Sequence, residues 1–454
     1  KDLAAQFTPL VAPLLPLGAW RHFRRERGSF FLALVLFVAG SIGIIWLINY
    51  PAVREELLIR RTHFLPCYAV AAIWLGLGLA TLADAVSRRL RGRGPTPPSR
   101  VASLATLVCP SLLALLPLAW YWRENDKSDY HYAADYGRNL LRTLKPEAIF
   151  VPTSDHSTFP LIYLTAVEGL RPDVLIADKY GYIEDATLRD VFEKSRSATA
   201  SPPDGATRSE KIAYLVEHSG RPVFTTLKEP LPGSRHAFVT RGLAFESLPS
   251  GERPKEAELD ALWESYEWHP STFAERPRDY TADMILAEGR FARARHHLLF
   301  DRKDEALREL ERAAAYARGI QEFLNNLGAL LLEHGHPRDA IPFLEDAWEV
   351  EPGYPSARRN LAIAHYRAEL FAEGFRWFEL QLEETPRDWR LLRAAARGAR
   401  ALGRLYDAMR YYLRLAYLDL EDPEIYREVA AFLREEGSAE ELVRAYEERV
   451  SESE

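Results

Sequence analysis

Long uncharged runs of apolar residues dominate the first quarter of the chain. Three of them, at 30–50, 64–83 and 101–122, have the length of about 20 residues that a helix needs to cross a bilayer. A fourth run at 7–20 is shorter, and is either part of a span or an interfacial helix. The pattern therefore predicts a membrane region of three to four transmembrane helices over residues 1–122.

Basic residues in the connecting segments predict the orientation of this region. The segments 21–29 (RHFRRERGS) and 87–100 (SRRLRGRGPTPPSR) are rich in arginine and are expected on the cytoplasmic side. Segment 51–63 then lies on the opposite side, as does everything after Trp122. We therefore expect an integral protein of a bacterial inner membrane with a periplasmic or otherwise extracytoplasmic C-terminal part.

Segment 51–63 carries three arginines on the side where basic residues are disfavoured. Arg54, Arg60 and Arg61 can contact lipid headgroups or pair with neighbouring acids. They can alternatively bind the phosphate of a lipid-linked donor, because the guanidinium group offers a bidentate fork to phosphate. Both interpretations stay open at this point.

Short apolar runs alternate with helical patterns between residues 130 and 265. Helical spacing at 132–144 precedes an apolar run at 149–151, and a second helical segment leads to the apolar run 173–178. Further strand patterns occur at 222–227, 236–240 and 243–248, after a helix at 210–218. This alternation predicts a small extracytoplasmic α/β domain with a largely parallel sheet.

The polar loop after the first strand is the candidate binding site of this domain. Ligands of such sheets bind beyond the carboxyl ends of the strands, which is where Asp155, His156, Ser157 and Thr158 fall. Ser157 or Thr158 can instead cap the following helix, with Pro160 in its first turn. The loop has no glycine, which argues against a dinucleotide site. Three adjacent residues are also unlike a catalytic triad, whose members converge from separate segments.

A step of 34 residues organises the C-terminal part. Blocks that begin at Gln321, Pro355, Trp389 and Pro423 repeat the same pattern of small and large apolar positions. This pattern predicts an array of about five tetratricopeptide (TPR) repeats over 283–450, an all-α superhelix of helix pairs. The groove candidates are polar residues of the first helices: Asn326, Arg358, Arg359 and Asn360. They predict either a clamp for a peptide or partner protein, or simply a solvated polar groove.

Composition narrows the remaining classes of function and partner. The net charge of −7 and a pI near 6.0 argue against a nucleic-acid partner. Two cysteines, Cys67 and Cys109, cannot build a disulfide framework or a cysteine zinc site. No metal ligand set and no cofactor are predicted. Because the first residue is Lys1, we expect a processed chain or the C-terminal part of a longer one.

A family resemblance rests on the central segment. The run Asp155–x–x–Thr158–Phe159–Pro160–Leu161–x–Tyr163–Leu164, followed by VEGLRPDV (167–174), resembles a family of bacterial multi-pass membrane proteins. A eukaryotic relative of that family is an O-mannosyltransferase of the secretory pathway, and the family is similar to GT-C glycosyltransferases. The resemblance covers roughly residues 1–250 and implies a polyprenyl-phosphate sugar donor on the non-cytoplasmic face.

The same resemblance limits the assignment of residues. GT-C enzymes carry their catalytic acid in the first external loop, in a region that precedes the part matched here, so no catalytic residue is assigned. We expect the C-terminal part of a membrane glycosyltransferase that transfers a sugar to a protein or glycan acceptor, with the repeats recruiting the acceptor or a partner. The alternative is a non-catalytic, membrane-anchored TPR scaffold or accessory subunit of a larger membrane complex.

Overall fold

The structure is a computed structural model. It describes residues 13–43, 46–47, 64–90, 108, 115, 119–122, 126–177, 205–274, 278–418, 422–435, 444, 447 and 448. The chain forms two compact units. The first comprises residues 1–131 and 269–281, and the second comprises residues 132–268 and 282–454.

The described part of the first unit includes three α-helices: α1 (Leu14–Arg25), α2 (Arg27–Val38), which continues as a π-helical turn to Gly43, and α3 (Leu65–Leu90). Among the described residues, the segment Leu65–Val86 of α3 is the one helical stretch long and apolar enough to cross a membrane. It coincides with the predicted span 64–83. Residues 14–20 of the predicted span 7–20 belong to α1, whereas the predicted span 101–122 falls largely outside the described residues. The count of three to four spans therefore stays a prediction.

Close packing joins α1 to α3. A Cβ atom at Gly18 would overlap the Trp74 carbonyl group, and one at Gly78 would overlap that of Leu14, so both positions require glycine. The predicted loop 21–29 is wrong, because α1 continues to Arg25 and α2 starts at Arg27, leaving only Glu26 outside a helix. Arginine is a good helix former, so the segment is helical except at Glu26, whose φ of −142° and ψ of 82° separate the two helices.

A five-stranded mixed sheet forms the centre of the second unit. Its strands are β1 (Ile149–Val151), β2 (Leu175–Ile176), β3 (Val223–Thr225), β4 (His236–Arg241) and β5 (Ala244–Pro249), in the order β2-β1-β3-β5-β4. β1 pairs in parallel with β2 and β3, whereas β5 is antiparallel to both β3 and β4. The prediction of a largely parallel sheet is therefore wrong for the second half.

A tight hairpin explains the antiparallel half. Arg241 pairs with Ala244 across a two-residue turn, in which Gly242 has a φ of +52°. A two-residue turn matches the right-handed twist of the two strands when its first residue has a positive φ. Glycine adopts this conformation without steric cost. Two adjacent strand patterns separated by one glycine thus form a hairpin.

Helices α4 (Tyr132–Thr143), α5 (Asp155–Ala166), α6 (Arg208–His218) and α7 (Glu256–Glu264) complete the α/β domain. A buried cluster that includes Ile149, Val223 and Phe238 on the sheet and Ile212 and Leu215 on α6 forms its core. α6 begins with a capping box, in which Thr207 and Glu210 satisfy each other's backbone amides.

Helix pairs follow from residue 280 onward. The first helices of the pairs are α8 (Tyr280–Leu299), α10 (Gln321–Glu333), α12 (Pro355–Arg367), α14 (Trp389–Ala401) and α16 (Pro423–Glu435). The second helices are α9 (Lys303–Tyr316), α11 (Pro337–Val350), α13 (Phe371–Glu384) and α15 (Leu405–Ala416). Small residues allow the close approach within pairs: a Cβ at Gly328 would lie 2.5 Å from Leu344 Cγ. The predicted helical repeats are confirmed.

Candidate functional site

The carboxyl ends of β1 and β3 meet at one edge of the sheet. The backbone N–H of Thr153, after β1, donates to Thr226 Oγ1, after β3, over 3.0 Å, and the two hydroxyl oxygens are 2.5 Å apart. The chain leaves β1 through α5 towards β2 on one side, while β3 lies on the other side. This is a topological switch point, the place where open α/β sheets bind ligands. The predicted loop Thr153–Thr158 therefore lies in the expected position.

Local geometry differs from the prediction at the start of α5. The helix begins at Asp155, and Ser154, with φ −133° and ψ 153°, is the residue at its N-cap. Ser157 and Thr158 are thus buried in the first turn, where each hydroxyl donates to the Ser154 carbonyl over 2.8 Å. The prediction that Ser157 or Thr158 caps the helix is wrong, because the helix starts earlier. Pro160 consequently lies within the helix and not in its first turn.

His156 contacts a residue of the first repeat helix. Its Nε2 lies 2.5 Å from Glu288 Oε1, and Tyr136 of α4 donates its hydroxyl to Glu288 Oε2 over 3.1 Å. The side chains of His156 and Glu288 retain only 17% and 28% of their exposure. Glu288 is therefore shared between α4 and α5 of the α/β domain, although it belongs to α8.

The contacts among His156, Glu288 and Tyr136 shift the pKa of all three side chains. Burial lowers the pKa of His156, but the negative charge of Glu288 and its hydrogen bond outweigh burial and leave the pKa raised. Burial likewise raises the pKa of Glu288, while the His156 charge and hydrogen bond lower it overall. Burial and the neighbouring Glu288 raise the pKa of Tyr136 well above its usual range. The cluster thus favours the protonated form of His156 and the ionised form of Glu288 together.

Arg295 lies about two turns beyond Glu288 on the same face of α8 and is buried. Its guanidinium carbon lies 4.1 Å from the centre of the Phe245 ring of β5, and burial lowers its pKa to about 10. Arg295 remains charged at neutral pH. Arg295 is only 8% exposed, so a cation of α8 lies inside the α/β domain.

The hydrogen bonds at His156 do not form a triad. Ser154 Oγ lies 3.1 Å from His156 Nε2, which is the same nitrogen that contacts Glu288. A nucleophile–base–acid relay uses the two different ring nitrogens, one for the hydroxyl and the other for the carboxylate. Asp155 is exposed beside this cluster. The arrangement can therefore orient and stabilise the loop, but it does not activate Ser154 as a nucleophile.

Sequence reasoning missed Tyr136, Glu288 and Arg295. Glu288 lies 132 residues from His156, and no local pattern connects them. One signal was available: α8 carries the consecutive residues Arg295, His296 and His297, and the repeat pattern alone gives no reason to bury them, yet all three are buried. Buried charged residues of this kind indicate a polar contact with another element.

The predicted groove residues divide into two pairs in the structure. Asn360 Nδ2 donates to Asn325 Oδ1 over 2.9 Å, whereas Asn326 is exposed one position further around α10. Arg358 forms an ion pair with Glu384 of α13, while Arg359 is exposed on α12. Adjacent residues of a helix point about 100° apart, so only Asn326 and Arg359 face solvent fully.

Two other predictions concern the arginines of segment 51–63 and metal binding. Arg54, Arg60 and Arg61 lie outside the described residues, so their contact with a phosphate stays a prediction. Among the described residues, no group of three or more His, Cys, Asp or Glu side chains is placed to hold a metal ion.

Comparison with known proteins finds a repeat family and a distant relative. A tetratricopeptide repeat family model matches residues 331–397. The helix pairs in this range are tetratricopeptide repeats. The chain is 27% identical over 179 residues to "Protein O-mannosyl-transferase TMEM260" of Mus musculus. That alignment covers 38% of this chain and 24% of the mouse protein, so the chain spans about a quarter of its relative.

Two solved structures are similar to part of the chain. They are described as "MamA RS-1 ArsTM double mutant" and "MamA 41-end from Desulfovibrio magneticus RS-1". Each is 16% identical, with a TM-score of 0.31, and the match covers 37% of this chain and 93% and 94% of the respective structure.

Proposed function

We propose that this chain is the C-terminal part of a membrane glycosyltransferase-like protein, in which the TPR array positions a protein partner or acceptor beside the α/β domain. The donor would be a polyprenyl-phosphate sugar on the extracytoplasmic face. The distant similarity to the mouse O-mannosyl-transferase and the TPR match support the two halves of this proposal.

The observation that carries the proposal is the core that the array shares with the α/β domain. Glu288 of α8 contacts both His156 and Tyr136. Tyr266 links the connector to the sheet and α4: its hydroxyl lies 2.6 Å from Thr143 Oγ1 and accepts the backbone N–H of Leu243 over 3.2 Å. A partner bound by the first repeats is therefore held at a fixed position relative to the α/β domain, as acceptor positioning requires.

Membrane attachment is supported by the surface of α2. Phe31, Leu32 and Val35 are 53%, 64% and 63% exposed. A run of exposed large apolar side chains on one helix is typical of a surface that contacts lipid or protein. Together with the apolar segment Leu65–Val86, this favours a membrane-embedded first unit.

The experiment uses the protein in proteoliposomes with a radiolabelled polyprenyl-phosphate mannose. Transfer of label to a co-reconstituted protein, or saturable binding of the labelled lipid, supports the glycosyltransferase-like function. If the lipid does not bind and no label is transferred, the proposal is wrong in its enzymatic half. Purification from native membranes then decides whether a protein partner is bound in constant stoichiometry.

The second candidate is a non-catalytic, membrane-anchored TPR scaffold. The satisfied hydroxyls at the switch point favour it: those of Ser157, Thr158 and Thr226 all form internal hydrogen bonds. A stoichiometric partner protein, together with absence of lipid binding, is the result expected for this alternative.

A further inference from the structure

Charge is segregated between first and second helices in the middle of the array, from α11 to α14. The first helices α12 and α14 carry seven arginines and no acidic residue. The neighbouring second helices α11 and α13 carry two arginines and eight acidic residues. This segregation stands out because the chain as a whole has a net charge of −7.

The first helices present their arginines on a common surface. α12 packs against α10 and α14, so consecutive first helices form one layer, with the second helices behind them. We call the exposed residues of α10, α12, α14 and α16 the first-helix surface. On this surface Arg359 and Arg390 are exposed, and no carboxylate pairs with either of them among the described residues.

A cavity of about 770 Å³ opens at α14 and α16 on this surface. Four arginines line it, and each is paired with a carboxylate of α16: Arg393 and Arg397 with Glu428, Arg400 with Glu435, and Arg427 with Glu424. An aromatic residue of each neighbouring second helix forms its apolar part. The lining residues that matter here are Arg393, Arg397, Arg400, Arg427, Phe371 and Tyr412. The cavity thus offers an apolar surface framed by paired arginines, which suits the apolar side chain of a segment whose carboxylates bind at Arg359 and Arg390.

Glu428 shows how arginines of this surface bind a carboxylate, and it occupies Arg393 and Arg397 itself. Arg397 donates to both of its oxygens over 2.7 Å, Arg393 donates over 2.6 Å, and the Tyr412 hydroxyl donates over 3.0 Å. Burial raises the pKa of Glu428, but the hydrogen bonds from Arg397 and Arg393 lower it overall. The bidentate geometry is the one in which arginine recognises carboxylates most strongly.

We propose that the first-helix surface of α12, α14 and α16 binds an acidic peptide segment that carries an aromatic or aliphatic side chain. Its carboxylates would pair with Arg359 and Arg390, and its apolar side chain would enter the cavity beside Phe371. The inference rests on the proposed partner-binding role and adds the chemistry of the partner. The aromatic lining and the acidic second helices favour a peptide over an anionic lipid surface or nucleic acid.

The test is fluorescence anisotropy with the full chain in nanodiscs of neutral phosphatidylcholine. The probes are three labelled peptides of equal length that share one Trp and two Leu and differ in carrying Asp/Glu, Ser/Gln or Lys/Arg at the remaining positions. We expect the acidic peptide to bind at least about tenfold more tightly than the other two, and more weakly as salt is raised.

Matched charge reversals locate the interaction. The double variant R359E/R390E should weaken binding of the acidic peptide by about tenfold or more. The control R376E makes the same charge change at an exposed arginine of the second helix α13 and should change binding by less than about twofold. Unchanged circular dichroism shows that both variants are folded.

Three results would overturn the proposal. They are absence of binding by the acidic peptide, equal binding of all three peptides, and an equal loss in the R376E control. Tighter binding to vesicles of anionic phosphatidylglycerol than to the acidic peptide, lost in R359E/R390E, would assign the surface to lipid instead. If a natural partner protein still binds the R359E/R390E variant, the partner-binding function stands and the acidic-peptide proposal fails.

Discussion

Replacement of Glu288 by Gln tests the contact between the array and the α/β domain. Gln keeps the size of the side chain and can still accept the hydrogen bond from Tyr136, but it removes the charge that faces His156. Loss of one partner from a fully buried ion pair costs about 3–5 kcal/mol. Because the two side chains here keep 17% and 28% exposure, we expect a smaller loss of about 1–3 kcal/mol.

The dependence on pH has a definite sign. The raised pKa of His156 means that its contribution is fully present below about pH 6.5 and is lost as the pH rises through the higher folded value. The lowered pKa of Glu288 means that its contribution is present above about pH 4.5 and is lost as the pH falls through the lower folded value. The wild-type protein should therefore exceed E288Q in stability most clearly between about pH 4.5 and about pH 6.5, and less so at alkaline pH.

Hydrogen–deuterium exchange of the full chain measures this effect locally. A protein with two compact units does not unfold in one step, so a single melting temperature would not isolate the contact. Amides of α4, α8 and the first turn of α5 should exchange about 10–100-fold faster in E288Q near pH 6, since about 1.4 kcal/mol corresponds to tenfold.

The control for this experiment is Glu333→Gln. Glu333 also joins the array to the α/β domain, through Lys228, but both side chains are more than half exposed. An exposed pair contributes about 0–1 kcal/mol, so exchange should change little. Equal exchange in E288Q and wild type, or an equal effect of E333Q, would refute the reasoning.

Two further predictions concern single positions of the second unit. Gly398→Ala should destabilise the array by about 1–3 kcal/mol, because the added Cβ would overlap the Phe371 carbonyl oxygen. Gly289→Ala should stabilise α8 by about 0.5–1 kcal/mol, because its nearest neighbour would lie 3.9 Å away. Hydrogen–deuterium exchange should therefore become faster in α14 of Gly398→Ala and slower in α8 of Gly289→Ala. Arg171→Ala removes three hydrogen bonds of 2.7–3.0 Å, to the carbonyl oxygens of Leu141 in α4 and of Leu144 and Lys145 just after it. The loss should destabilise the C-terminal end of α4 by about 2–4 kcal/mol, which faster hydrogen–deuterium exchange there would show.

Periodic and local features of this protein were predictable from the sequence. The 34-residue step gave the repeat helices, because each repeat buries its apolar positions against its immediate neighbours. The strands at 149–151 and 223–225 were predicted within two residues, since short apolar runs bounded by turns leave few alternatives. Helix α4 was predicted as 132–144 and ends at Thr143.

The failures have a common physical origin in contacts that no local pattern specifies. The start of α5 depends on Ser154 adopting an extended backbone, which a run of Ser, Asp and Thr allows at several positions. Strand direction depends on Gly242, where a single residue decides between hairpin and crossover. The Glu288–His156 pair depends on how α8 packs against the α/β domain, which follows only from the tertiary structure.

Polar links between first helices have a mechanical consequence. Asn360 and Arg367 of α12 reach back to α10, while Arg393 and Arg400 of α14 reach forward to α16. Within the described residues, no side-chain hydrogen bond joins α12 to α14, and both helices are purely cationic in their charged residues. Side-chain hydrogen bonds therefore connect α12 to α10 and α14 to α16, whereas the connection between α12 and α14 depends on the packing of both helices against α13. An anion bound by both Arg359 and Arg390 would add a polar link at this place.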